Sequence, residues 1–242
     1  MLPDPEARGR QAVIKALAMG DTESLFARAS KLPRGYGADA NERVVEIPWL
    51  LAQGVHGRTL DAGSALNHEA YLDRVLPAVD ELHIVTLEPE RASFPERRIS
   101  YVYSDLRKLP YRDGYFDTIV SVSTLEHVGM DNRGYGSTAE QAADAQRESE
   151  EAIRELRRAL APGGRILMTF PYGEPEDHGG WRQLDADHLE RLIAAAAPSE
   201  VDVRVYRYQD GGWQLSDPQA AARARYRVGF AAEAVACVRL SW

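Results

Sequence analysis

Residues 60–72 read LDAGSALNHEAYL, and the fold class turns on how they are parsed. Leu60–Ala62 closes an apolar run that starts near residue 58, Gly63 supplies a tight turn, and a helical segment follows from Asn67. A strand running through a short loop into a helix is the unit from which parallel sheets with crossover helices are assembled. Gly63 is the only glycine of the stretch. A loop that seats a pyrophosphate needs a second glycine for close backbone approach, whereas a nucleotide-like cofactor without phosphate demands less. Ala65 has the smallest side chain after glycine and keeps the loop open provided its position needs no positive φ. Asn67 suits a helix cap whose neighbours expose free amides.

Working outward, apolar runs at 58–62, 82–87, 99–103, 116–122, 164–170, 201–208 and 232–240 alternate with charged helical segments. The longest of these, 137–160, places Ala142, Ala145, Ile153, Leu156 and Leu160 on a helical period, and Pro162-Gly163-Gly164 is expected to stop it. Before residue 58, Ala12, Val13, Ala16, Leu17, Leu25 and Phe26 mark two short amphipathic helices broken at Gly20-Asp21. A third follows, with Pro48 suiting its first turn and Gly54 its stop. No repeat, low-complexity tract or linker marks a second domain. The expectation is an α/β protein with a Rossmann-like, doubly wound sheet: residues 1–57 form an N-terminal helical cap or lid, and 58–242 the main domain.

Composition narrows the function classes. The 242 residues carry 29 Lys and Arg against 37 Asp and Glu, a net charge of -8 that opposes attraction to phosphate backbones, so nucleic acid is a disfavoured partner. No run approaches the roughly 18 apolar residues of a membrane span, and the first residues lack a basic start followed by an apolar stretch. The single cysteine, Cys237, cannot form an internal disulfide and lies in an apolar run that suits a buried thiol. A cytoplasmic location is the expectation, with the oligomeric state left open.

Open parallel sheets bind ligands beyond the carboxyl ends of their strands. Asp61 and Gly63 follow the first strand. Glu88 follows the second, 27 positions beyond Asp61, near the spacing at which an acid grips ribose hydroxyls. Ser104-Asp105-Leu106 follows the third, and SVSTLEHVG, residues 121–129, begins within the fourth and runs beyond it. Asp117 is expected to anchor the start of its strand. His68 and Glu69 open a zinc-motif pattern whose second histidine is Leu72 instead, so no metal site is read.

In order, LDAGSALN, VTLEPE, SDLRKLPYRDGYFDTIVSVSTLEHV and LRRALAPGGRILMTFP resemble the class I S-adenosylmethionine-dependent methyltransferases, in particular the small-molecule branch. The resemblance implies seven strands with the last antiparallel and S-adenosyl-L-methionine across the ends of the first four. It places Asp61 and Gly63 near the methionine part, Glu88 on the ribose, Asp105 and Leu106 on the adenine and Ser123 beside the sulfonium. The chain departs from the family's DxGxGxG at Ala65 and Asn67. His127 is the candidate general base, with His178 as a competitor. Tyr36, Trp49, Tyr135, Tyr172 and Trp181 are candidates to line an acceptor pocket, and residues 129–140 to form a movable lid. The acceptor expected is a small polar molecule such as a sugar, amino sugar or secondary-metabolite intermediate. Asp61→Ala is expected to weaken cofactor binding with little loss of fold. A methyltransferase-like scaffold without turnover and an NAD-linked reductase are the alternatives.

Overall fold

Ile166, Met168 and Phe170 pack into one core, whereas the intervening Leu167 packs into another. Ala236 and Val238 likewise alternate with Val235 and Cys237. That period of two, apolar on both sides, is what a sheet covered on both faces requires. In this computed structural model, which describes residues 5–19, 22–29, 31–90, 92–135, 140–227 and 231–242, the central sheet has eight strands. They are β1 (Gly57–Ala62), β2 (Val79–Thr86), β3 (Ile99–Tyr103), β4 (Phe116–Val122), β5 (Leu160–Pro171), β6 (Glu200–Gln209), β7 (Gly212–Ser216) and β8 (Ala234–Ser241). Their order is β3-β2-β1-β4-β5-β8-β6-β7. Neighbours from β3 to β5 are parallel, while β8 runs antiparallel to both β5 and β6.

The seven expected strands are present, and the eighth, β7, corrects the count. It pairs antiparallel with β6 through the two-residue loop Asp210-Gly211, whose φ values of 51° and 76° are those of an Asp-Gly hairpin turn. β7 also carries the fully buried Trp213, whose backbone N–H donates to Tyr36 O at 2.8 Å and ring Nε1–H to Ala40 O at 3.3 Å. The extra strand therefore docks the segment before the third helix.

Helices α1 (Pro5–Ala18), α2 (Thr22–Ala27), α3 (Arg43–Gln53) and α4 (Glu69–Val75) share one core with the β4, β5 and β8 residues Val120, Leu167 and Val235. α5 (Ala145–Ala159) and α6 (Ala186–Ala196) pack in the other. α1 ends at Ala18 and α2 begins at Thr22, and the break expected at Gly20-Asp21 lies outside the described residues. α5 ends at Ala159, before Pro162-Gly163-Gly164, which lies within β5 where its register against β4 shifts. Asp117 does anchor its strand: it accepts from the Arg58 backbone N–H at 2.9 Å and from the guanidinium at 3.1 Å.

Pro48 lies inside α3 rather than in its first turn. Proline has no N–H to give the carbonyl four residues back, which would leave Val44 O unsatisfied. The Tyr36 hydroxyl, itself buried, donates to Val44 O at 2.8 Å and fills that vacancy. Tyr36→Phe is therefore expected to destabilise the protein by roughly 1–2 kcal/mol. In a Pro48→Ala background the restored N–H makes the same change cheaper, and thermal melts of the four proteins of this cycle measure the difference.

The chain leaves β1 toward β2 and β3, then returns on the other side of β1 as β4. At such a reversal the loops diverge and open a crevice beyond the carboxyl ends of β1 and β4.

Candidate active site

At the end of β1 the Asp61 carboxylate is fully buried and turned back on its own loop. It accepts from the Ala65 N–H at 3.2 Å and the Leu66 N–H at 2.8 Å. Gly63 has φ +116°, and a Cβ there would meet the Thr124 side chain, with Cγ2 at 2.5 Å. The loops after β1 and β4 are thus pressed together at Gly63. The left-handed conformation expected to threaten Ala65 falls on Ser64 (φ 66°), and Ser123 after β4 adopts it too (φ 43°). Non-glycine residues in this region cost about 1–3 kcal/mol each and gather where a site over-determines its backbone.

Asn67 is not the helix cap. His68 is: its Nδ1 accepts from the Ala70 N–H at 3.3 Å. The Asn67 amide instead donates to Ala92 O at 2.9 Å and its Oδ1 accepts from the Tyr101 hydroxyl at 2.9 Å, lacing the β1 loop to the segment after β2. Glu88 stands half-buried beyond β2, without a hydrogen bond or ion pair among the described residues, beside the exposed Leu87. Asp105 is already engaged. Its carboxylate accepts from the Arg107 backbone N–H at 2.8 Å and Nε–H at 2.9 Å, and Arg107 continues to Glu148. Burial pushes Asp105 up, but Arg107 outweighs it and holds the group below the usual carboxylate range. Leu106 is buried in the core.

Ser123 meets a residue that the sequence reading passed over. Its hydroxyl donates at 2.7 Å to Oε1 of the fully buried Glu46 on α3, the Thr169 hydroxyl donates to the same oxygen at 2.6 Å, and Arg43 donates to Oε2 at 2.7 Å. One carboxylate thereby ties α3 to the ends of β4 and β5. The available signal was the lone charge in the apolar stretch 44–51.

After Ser123 a single turn, Leu125–His127, buries Glu126 and presents His127. His127 Nδ1 lies 2.8 Å from Gly180 O, so in the neutral ring Nδ1 carries the proton and the lone pair resides on Nε2. Burial pushes the His127 pKa down, more than Gly180 raises it, which keeps the ring neutral near pH 7. His127 lies 6.3 Å from Trp181, and Trp181 contacts both His178 and Tyr226, so the structure brings both candidate histidines to one aromatic cluster. Of the other aromatic candidates, Tyr36, Trp49 and Tyr172 are buried packing residues. The side chain of Tyr135, and residues 136–139 of the expected lid, lie outside the described residues.

Desolvation dominates three buried carboxyl groups: Asp61 and Glu42 are each pushed up to about 7, and Glu126 well above its ordinary value. A carboxyl whose pKa is higher in the folded state contributes stability that is complete below its unfolded value and is lost as pH rises through the folded value. Each unit is worth about 1.4 kcal/mol. The melting temperature of the ligand-free protein is therefore expected to fall between pH 5 and pH 8, with Glu126→Gln flattening the slope. Melts across this range check it, and a rising temperature would contradict it.

Residues 62–168 match the family described as a methyltransferase domain. That stretch is a methyltransferase domain, and its likeness is to S-adenosylmethionine-dependent methyltransferases. It is 30% identical over 98 residues to the tRNA (carboxymethyluridine(34)-5-O)-methyltransferase of Arabidopsis thaliana, covering 39% of this chain and 20% of that protein. It is 28% identical over 110 residues to the ubiquinone/menaquinone biosynthesis C-methyltransferase of Pseudomonas putida, covering 46% and 36%. With norajmaline N-methyltransferase of Rauvolfia serpentina (29% over 93 residues, 35% and 26%), these matches span between a fifth and about a third of the relatives' lengths. A solved Thermotoga maritima methyltransferase superposes with TM-score 0.51 at 15% identity over 81% of this chain and 86% of its own, a likeness of fold.

Proposed function

We propose that this methyltransferase moves a methyl group from S-adenosylmethionine to a small polar acceptor: a sugar, amino sugar or secondary-metabolite intermediate. The observation that carries the reading is the cradle at the ends of β1 and β4, where Gly63 admits Thr124 and Asp61 holds the loop amides in place. The residues present fit the cofactor. The Asp61–Asn67 loop, including Gly63 and Ala65, would hold the methionine part, and Glu88, unengaged among the described residues, would take the ribose hydroxyls. Leu106 and the Asp105 segment would flank the adenine, although the Asp105 carboxylate is committed to Arg107, and Ser123 would lie beside the sulfonium. The bound cofactor supplies an electrophilic methyl group. His127 takes the acceptor's proton on Nε2, and α3, fixed through Glu46, makes residues 1–57 a cover for the acceptor side. Norajmaline and quinone methyltransferases among the relatives favour a small-molecule acceptor, as does the net charge of -8. The lone cysteine, buried in β8, supports a cytoplasmic location.

Parallel calorimetric titrations with S-adenosylmethionine, S-adenosylhomocysteine and NAD test the assignment. Binding of the first two without NAD is expected, and silence from all three would defeat it. Glu88→Ala should weaken S-adenosylhomocysteine about tenfold or more, since a hydrogen bond to a charged group contributes roughly 1.5–3 kcal/mol.

A further inference from the structure

The ring cluster beside His127 has two features that packing alone does not explain. His178 stacks on Trp181 at 5.2 Å and 18°, and Tyr226 meets His178 edge-on at 4.7 Å and 63°. Indole and phenol faces carry the negative side of the ring quadrupole and attract cations. The surrounding groups are acidic as well. Glu176 Oε2 accepts from the Tyr226 N–H at 3.3 Å and lies 3.3 Å from His178 Nε2, and the charges of Glu126, Glu42 and Glu46, in that order, bear on Tyr226.

Glu126 is the second feature. It is 1% exposed, and its Oε2 has no hydrogen-bond partner among the described residues. A buried carboxyl oxygen without a partner is expensive, and a cation is what satisfies it best. The nearby guanidinium groups are directed elsewhere: Arg43 donates to Glu46, and Arg182 to Ala145 O at 2.8 Å and the Ser149 hydroxyl at 2.5 Å. Arg225 pairs with Glu174 at 2.7 Å and lies 3.7 Å from Glu176, so among the described residues Glu126 Oε2 is the carboxyl oxygen of this group left buried without a hydrogen bond.

We propose that the acceptor is an organic amine, bound as its ammonium form against Trp181, Tyr226 and His178, with the Glu126 carboxylate as its counter-ion. This rests on the methyltransferase reading and narrows its acceptor from polar molecules in general to amines. Burial pushes the pKa of the Glu126 carboxyl well up, and an arriving ammonium ion favours its ionised form.

The test is calorimetric titration of the whole protein, with and without saturating S-adenosylhomocysteine, using benzylamine and the neutral isostere benzyl alcohol at a pH where the amine is charged. Benzylamine should bind at least tenfold more tightly than the alcohol, and Glu126→Gln should erase that preference while leaving S-adenosylhomocysteine affinity unchanged. Equal affinities for the two probes in the unmodified protein overturn the proposal whether or not the variant folds, as does a preference that survives Glu126→Gln. Trp181→Leu, which leaves the carboxyl in place, should cut the amine preference severalfold. A protein that binds S-adenosylhomocysteine without preferring the amine loses only the amine proposal. One that prefers the amine without binding S-adenosylhomocysteine keeps the ammonium site and loses the methyltransferase reading.

Discussion

Gly63→Ala is expected to lower the melting temperature by roughly 6–12 °C and to abolish measurable S-adenosylhomocysteine binding. Two costs add. The backbone at φ +116° is one that an L side chain adopts only at about 1–2 kcal/mol, and the new methyl would enter the Thr124 side chain, a clash of the kind that costs about 1–3 kcal/mol. About 3 kcal/mol in a chain of this size corresponds to the stated range, at 2–4 °C per kcal/mol. Relief comes only by parting the loops after β1 and β4, and those loops form the crevice. Differential scanning calorimetry and a binding titration on the same sample check both effects. Adding Thr124→Ala should restore part of the stability, because it removes the clash and leaves the φ strain. A Gly63→Ala protein with unchanged melting and affinity would mean that the two loops are not in contact.

For the neighbouring Asp61, the geometry replaces the expectation of lost binding on an intact fold with a different prediction. Its carboxylate satisfies two loop N–H groups while itself fully buried. Asp61→Ala orphans both, at about 1–3 kcal/mol each, so stability and cofactor affinity should fall together.

What the sequence made legible follows from the range of the forces involved. The seven principal strands and the crevice at β1 and β4 could be read because period-two apolar runs and strand-end turns are local signals. β7 was also local, since Asp210-Gly211 is a hairpin signal, but the short strand around the buried Trp213 lacks a long apolar run and was passed over. The cap of α4 was misplaced by one residue because Asn67 and His68 can both accept a backbone N–H, and tertiary bonds to Ala92 and Tyr101 recruit Asn67 elsewhere. Pro48 suggested a helix start because proline inside a helix normally costs a hydrogen bond. The Tyr36 hydroxyl that answers the orphaned carbonyl comes from outside the helix, which no local rule sees. The same holds for Glu46, whose partners Ser123 and Thr169 are 77 and 123 positions away.

His127→Gln should reduce kcat by about 10²–10⁴-fold, the usual contribution of a positioned general base, while S-adenosylhomocysteine affinity stays within a factor of a few. An amine acceptor held as an ammonium ion has no lone pair to offer until it loses a proton, so a neutral group beside the site must receive one. Under the proposed function His127 meets that need. Its Nδ1–H is committed to Gly180 O, its lone pair sits on Nε2, and burial keeps it neutral by lowering its pKa. Because the base form is required, the acid limb of the kcat profile should fall below the ordinary histidine value and disappear in the variant. Glutamine carries an N–H donor and no basic nitrogen, so the substitution removes proton acceptance while keeping a polar side chain of similar length. A variant with the wild-type acid limb and a normal kcat would shift the proton to solvent or to another carboxyl of the site. A variant that loses cofactor affinity in parallel would make His127 a positioning residue for the β4 loop rather than a base.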